Sequence, residues 1–189
     1  MKIISTFLLL FTACIHLQAQ LHLSAETAGG INSPKIKHDG TPAPNDLYNG
    51  AFSYRFGIDL SYQIGTHFCI GARTGFQSFA YTQRSFTGTF QQTGVIGGLY
   101  AGILIKRFQF DLGGDYTSII NKSFADLEGI ANPNFYTASL GASVRFEKIQ
   151  PFFRYYHGIS AYHKYKLAYP GYRYLYVREI LLGVAFQLF

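Results

Sequence analysis

Cysteine is nearly absent from this chain, and tryptophan is missing altogether. Of the two cysteines, Cys14 lies in the first apolar stretch and Cys69 stands alone beyond it. Removal of the N-terminal segment therefore excludes an internal disulfide, even in an oxidising compartment. Charged residues make up only 14% of the chain, too few for long solvent-facing helices. After the first 15 residues no apolar run nears the roughly 20 residues that a membrane-crossing helix needs. The later histidines, His22, His38, His67, His157 and His163, show no metal-ligand spacing. No metal and no cofactor is expected. Gly29-Gly30 and Gly97-Gly98 open no helix and are not phosphate loops. The net charge of +6 is not gathered into a basic run or helix, so nucleic acid is not an expected partner.

What the chain has in quantity is tyrosine (15), phenylalanine (18) and glycine (20) in 189 residues. That composition favours strands and allows one domain. The start reads as an export signal. Lys2 supplies the positive charge, Ile3 to Ile15 a short apolar core, and Leu17-Gln18-Ala19 a cleavage site before Gln20. Phe11-Thr12-Ala13-Cys14 has the outline of a lipoprotein box, with an atypical Phe in its first position; cleavage after Ala19 is the expectation. Losing Lys2 leaves 15 basic and 10 acidic residues, a net +5. The expected organisation is a signal peptide over residues 1–19 and a single domain over 20–189.

The domain alternates with period two almost throughout. Phe52, Tyr54, Phe56, Ile58, Leu60, Tyr62 and Ile64 share one face; Ser53, Arg55, Gly57, Asp59, Ser61 and Gln63 share the other. This run outlasts an ordinary soluble strand of about 5–6 residues. Similar alternation covers residues 21–28, 68–77, 95–105, 108–116, 136–146, 150–160 and 174–189. Tight turns fall near residues 65, 106 and 147, each 41 residues after the last. Longer segments, 31–50, 83–92, 121–133 and 161–173, read as loops. Short turns at one end and long loops at the other predict an all-β, eight-stranded antiparallel up-and-down transmembrane β-barrel, placed in an outer membrane. The last strand, Glu179 to Phe189, is apolar on one face, as a lipid-facing closing strand would be.

The apolar phase is free of charge over its membrane stretch, with Arg178 as its upper exception. The opposite phase carries Glu26, Arg55, Asp59, Arg73, Asp111, Asp115, Arg145, Arg154 and Glu179. Four positive against five negative residues is near balance. An eight-stranded barrel is only wide enough for side chains to fill it, so these nine are expected to pair as a polar core. Asp59 and Arg73 are expected as near-diagonal neighbours across the Gly65-Thr66 turn.

The chain resembles the small eight-stranded outer-membrane barrels of the OmpX and OmpA-membrane-domain type, and the PorT-like outer-membrane barrel family of Bacteroidetes. The residues that carry the likeness are the signal ending Leu17-Gln18-Ala19-Gln20, the strand Tyr54-Arg55-Phe56-Gly57-Ile58-Asp59-Leu60-Ser61-Tyr62, and the aromatic terminus. Phe189 departs from the pattern, being one step out of phase with Leu188 and Phe186. The resemblance implies a monomer inserted by the barrel-assembly machinery through the strand ending at Phe189.

Residues 154–176 concentrate tyrosine and basic side chains. Tyr162, Lys164, Tyr165, Lys166, Tyr172 and Arg173 are expected at the outer rim against lipid and lipopolysaccharide head groups. A catalytic alternative uses His157, Ser160 and Glu179, whose types suit a Ser/His/acid arrangement; a loose resemblance to the eight-stranded lipid A deacylases, whose motif keeps His and Ser two apart rather than three, implies lipid A as the substrate. Strand parity opposes it, because His157 faces lipid and Ser160 the interior. The expected role is a non-enzymatic surface, structural or ligand-contact protein. A lipid A acyl hydrolase is the first alternative; a narrow pore or a soluble lipocalin-like barrel is the second. The transmembrane reading predicts a gel-band shift between unboiled and boiled samples. No shift, with the protein in the soluble fraction, would favour the lipocalin-like form.

Overall fold

A computed structural model describes residues 21–38, 41–42, 48–83, 89–123, 129–131, 133–166 and 172–188. The expected signal segment with Cys14, and Phe189, lie outside the described residues. In chain order the strands are β1 (Leu21–Asn32), β2 (Lys35–His38), β3 (Thr41–Pro42), β4 (Tyr48–Ile64), β5 (Phe68–Gln83), β6 (Thr89–Ile105), β7 (Phe108–Ser123), β8 (Gly129–Ala131), β9 (Asn134–Val144), β10 (Ile149–Gly158), β11 (His163–Lys166), β12 (Tyr172–Tyr176) and β13 (Arg178–Gln187). Eight of them close a barrel in the order β1-β13-β10-β9-β7-β6-β5-β4, every neighbour antiparallel.

The alternation sets the two faces. Phe52, Leu99, Leu112, Leu140 and Leu182 point outward and are exposed, while Arg55, Asp59, Arg73, Asp111, Asp115 and Arg154 point inward and are buried. This is the reverse of a soluble binding barrel, whose apolar face is inside. A continuous apolar belt of this extent is stable only against lipid. Among the described residues no helix is long and apolar enough to cross a membrane.

Three short turns join strands at one end: residues 65–67, 106–107 and 145–148. The first and second begin with Gly65 and Lys106, both in the left-handed region at φ 63 and φ 58. The wall is uneven in height. β4, β5, β6 and β7 run 16 or 17 residues, whereas β1, β9, β10 and β13 run 10 to 12. The surplus of about six residues, at about 3.3 Å each, raises one side of the barrel by up to ~20 Å along the strand.

The long-loop end differs from the sequence expectation. β5 continues to Gln83 and β6 resumes at Thr89, so the loop expected over 83–92 is shorter. Segments 31–50 and 161–173 contain strands, and with β8 they form a second sheet in the order β3-β2-β12-β11-β8. The expected strand 174–189 is two strands: β12 belongs to this outer sheet, and the chain enters the barrel only after the buried Val177.

The outer sheet has two unlike faces. Ile36, Leu175 and His163 share one cross-strand row and are buried. Lys37, Tyr174 and Lys164 share the adjacent row on the other face. The buried face closes over the tall wall, where Phe79, Tyr81, Phe90, Ile119 and Phe135 meet Tyr162, Leu175 and Val177. Phe79 lies 5.5 Å from Phe135 and Tyr162 lies 5.9 Å from Phe135.

Leu140 sits near mid-height of β9 on the lipid face, opposite Leu112. Leu140→Arg is expected to cost about 2–4 kcal/mol. A urea titration of the refolded barrel, followed by the gel-band shift, reads this directly; Ala142→Ser nearby serves as the mild control.

Candidate functional site

Interior-facing side chains fill the lumen in tiers. At the short-turn end, Arg145 donates from Nε and Nη2 to Gln109 Oε1 at 3.0 and 2.6 Å, and from Nη1 to Gln63 Oε1 at 3.3 Å. Gln150 Nε2 donates to Ser143 Oγ at 2.7 Å. Above this tier lies a polar cavity of about 80 Å³, bordered by His22, Glu26, Asp59, Arg145 and Arg154.

The next tier holds a two-point ion pair. Arg154 Nη1 and Nη2 each donate to a Glu26 oxygen at 2.7 Å. Beside it Tyr100 Oη donates to Asp59 Oδ1 at 2.8 Å. Higher still, Arg55 Nη1 donates to Asp115 Oδ2 at 2.8 Å and to Tyr156 Oη at 2.7 Å. Arg73 reaches Asp111 at 3.4 Å, Asp115 at 3.8 Å and Tyr156 Oη at 3.3 Å. Gln77 then donates to the fully buried Glu179. The aromatic cluster lies above, so lumen and mouth are both filled.

Charges can pack this closely because some neighbours have no side chain. A Cβ on Gly141 would stand 2.6 Å from both Asp111 oxygens, and one on Gly98 would collide with Asp115. Rings take the remaining space: Arg73 lies 4.6 Å from the Tyr100 centroid and Arg154 4.2 Å from that of Phe152.

The nine charged residues named from the sequence thus all line the interior, but their partners differ from the expectation. Asp59 and Arg73 stand directly opposite in register, not diagonally. They are bonded elsewhere, because Arg73 reaches over Tyr100 to Asp111 and Asp115 while Tyr100 takes Asp59. Sequence reasoning left out Tyr100, Tyr156, Gln77 and Gln109. Their inward parity could have found them, since each is polar in the charged phase.

The structure separates the three residues of the catalytic alternative. His157 is on the outer wall with Nδ1 3.1 Å from Tyr155 Oη. Glu179 is inside the wall with Gln77. Ser160 Oγ accepts from the Tyr136 backbone N–H at 2.8 Å. His157 is in register with Arg178, while Glu179 pairs with Tyr156, so the wall stands between imidazole and carboxylate. Among the described residues no three His, Cys, Asp or Glu side chains gather as a metal site.

Tyr162 corrects the outer-rim expectation. It is fully buried in the aromatic cluster, because its N–H bonds to Leu175 O at 2.9 Å and folds the loop inward over the mouth. Lys164 does lie on the outer face, with Nζ 5.6 Å from the Tyr174 ring. The positions of Tyr165, Lys166, Tyr172 and Arg173 are on β11 and β12, but their side chains lie outside what is described. Lys35 and Lys37, which the sequence did not single out, join this surface beside Tyr176; Lys37 Nζ lies 4.9 Å from the Tyr176 ring.

Together these features define a closed, side-chain-filled, eight-stranded membrane-spanning β-barrel with a structured outer cap. The outer membrane protein OprG from Pseudomonas aeruginosa is similar over 89% of this chain and 95% of its own, at 12% identity and a TM-score of 0.52. Two further solved structures match more loosely. Ail, the attachment invasion locus protein of Yersinia pestis, solved with the heparin analogue sucrose octasulfate, shares 12% identity over 88% of this chain and 99% of its own, with a TM-score of 0.39. AlkL, solved in DMPC lipid bilayers, shares 11% over 87% and 90%, with a TM-score of 0.42. No protein-family model matches this chain, and no curated protein matches it. At these identities the likeness to OprG establishes the fold, and the OmpX-like or PorT-like resemblance reaches no further than architecture.

Removing one member of a buried ion pair leaves the other uncompensated, at about 3–5 kcal/mol. Arg154→Met should therefore destabilise the barrel by that amount. Arg154→Met combined with Glu26→Leu should recover most of the loss. A double-mutant cycle of urea midpoints measures both.

Proposed function

We propose that the protein is an outer-membrane surface protein, neither an enzyme nor a pore, that meets its partners through the outer sheet. The observation that carries this reading is the double seal. The lumen is filled by ion pairs and hydrogen-bonded polar side chains, and its mouth is covered by an aromatic cap and a five-stranded sheet. A conducting protein would keep a connected polar path. A protein that acts by contact would keep a built surface beyond the membrane, as here. The outer-membrane placement is supported by the lipid-facing belt, the short-turn and long-loop asymmetry, and the likeness in fold to an outer-membrane protein.

The outer sheet supplies the contact chemistry. Lys37 and Lys164 stand over the rings of Tyr176 and Tyr174, and Lys35 is in register with Tyr176. This face suits anionic sugars and phosphates, and lipopolysaccharide of the surrounding membrane is the partner in reach. Each basic group near an anionic surface contributes about 1 kcal/mol, so the face orients and attaches. The barrel acts as a monomer, inserted by the assembly machinery through its last strand.

A planar bilayer holding the purified barrel should show no steady conductance. Steady single-channel steps would replace this reading with the pore. Lipid A from cells making the protein should keep its acyl chains by mass spectrometry; a lost chain would replace it with the hydrolase. Lys35→Gln, Lys37→Gln and Lys164→Gln together should weaken adsorption to lipopolysaccharide-coated surfaces by at least tenfold at low salt, with less effect at high salt.

A further inference from the structure

The outer wall itself carries a feature that the outer sheet does not explain. On β1, β10 and β13 the lipid-facing phase is apolar apart from Thr27 and a small group at its upper end. Arg178 is there, with Nη2 donating to Ser33 Oγ at 3.1 Å. His157 is directly opposite Arg178 in register, and Tyr155 Oη lies 3.1 Å from His157 Nδ1. No carboxylate pairs with Arg178 among the described residues. A groove of about 520 Å³ runs down the wall from this group, bordered by Gly29, Ile31, Tyr155, Ile180 and Leu182. Gly29 forms its floor between the Leu182 and Tyr54 positions.

Height decides what the group meets. Arg178 is ten residues before Leu188 at the other end of the strand. Ten steps of about 3.3 Å, tilted by roughly 40°, climb ~25 Å, the height of a barrel's apolar band. The guanidinium therefore lies at the upper head-group level, with the apolar groove below it in the acyl region. A planar guanidinium with free donors matches the geometry of a phosphate.

We propose that this wall is a specific site for a phosphorylated membrane lipid of the long-loop-side leaflet. Its phosphate sits on Arg178, with Ser33, His157 and Tyr155 beside it, and one acyl chain lies in the groove over Gly29. The site rests on the membrane reading above but not on the outer sheet, whose lysines it does not use.

Native mass spectrometry of the barrel in a phosphate-free detergent tests the proposal, on samples whose gel-band shift shows the folded form. The probes are diphosphorylated lipid A, a phosphate-free glycolipid with the same acyl chains, and inorganic phosphate. Wild-type protein should retain the phosphorylated lipid at one per barrel and prefer it about tenfold or more over the phosphate-free one. Arg178→Gln should erase that preference. Gly29→Leu fills the groove floor, where a Cβ already stands 3.1 Å from the Phe52 ring, and should lower retention of both lipids. Lys148→Gln, at the opposite end, should leave retention unchanged. Equal retention by Arg178→Gln and wild type, equal binding of the phosphate-free lipid, or displacement of lipid by an equal concentration of inorganic phosphate would overturn the site. Loss of the band shift in wild type would overturn the membrane reading instead, so the two failures are told apart.

Discussion

Hydrocarbon offers no partner for a backbone N–H or C=O, and that constraint organises the whole molecule. Each unbonded group would cost several kcal/mol, so a sheet that crosses lipid must have no edge. β1 meets that demand by pairing with β4 on one side and with β13 on the other, in a ladder from Ser24↔Gln187 to Asn32↔Glu179. Once the sheet is closed, period-two alternation must send one phase to lipid and the other into a lumen too narrow for bulk water. Charges cannot occupy the first, so they gather in the second. Buried there, they are tolerable only with charged or neutral hydrogen-bond partners. The Glu26–Arg154 and Arg55–Asp115 pairs, with Tyr100 and Tyr156 between them, follow from closure, as do the glycines that make room for the carboxylates.

The uneven wall explains the outer cap. A barrel of equal strands would end in loops. Here β4 to β7 continue past the membrane with inward aromatic residues such as Phe79, Tyr81 and Phe90, which would face water without cover. The outer sheet covers them with Ile36, Tyr162 and Leu175, burying aromatic area that contributes most of the packing energy at this end. One face of that sheet is thereby committed to the core, and the other is left to carry lysine and tyrosine. Surface chemistry and the sealed mouth are two consequences of the same packing.

Much of this architecture was legible in the sequence because it is local. Alternation at Phe52 to Ile64 needs no knowledge of the partner strand. The turns 41 residues apart mark the hairpins, and the phase of each charge assigns its side of the wall. What depended on distant residues was not legible. Asp59 and Arg73 face each other across a hairpin yet bond to Tyr100, Asp111 and Asp115, a choice set by the width of the lumen. Tyr162 has the composition of an interfacial residue and is buried, because its place depends on where β12 returns. The break at Val177 is hidden in a run that alternates on both sides of it. Short strands such as β11, rich in lysine and tyrosine, have no clear apolar face to read, since both side chains are amphipathic.

The inside-out assignment of the two phases is the claim on which everything else depends. A nitroxide scan along β9, from Tyr136 to Ser143 in a Cys69→Ser background and in lipid bilayers, tests it most directly. The account predicts high oxygen accessibility at Tyr136, Ala138, Leu140 and Ala142, and low accessibility at Thr137, Ser139 and Ser143; Gly141, which has no room for a side chain, is left out of the scan. The opposite phase, or accessibility with no period of two, would contradict it.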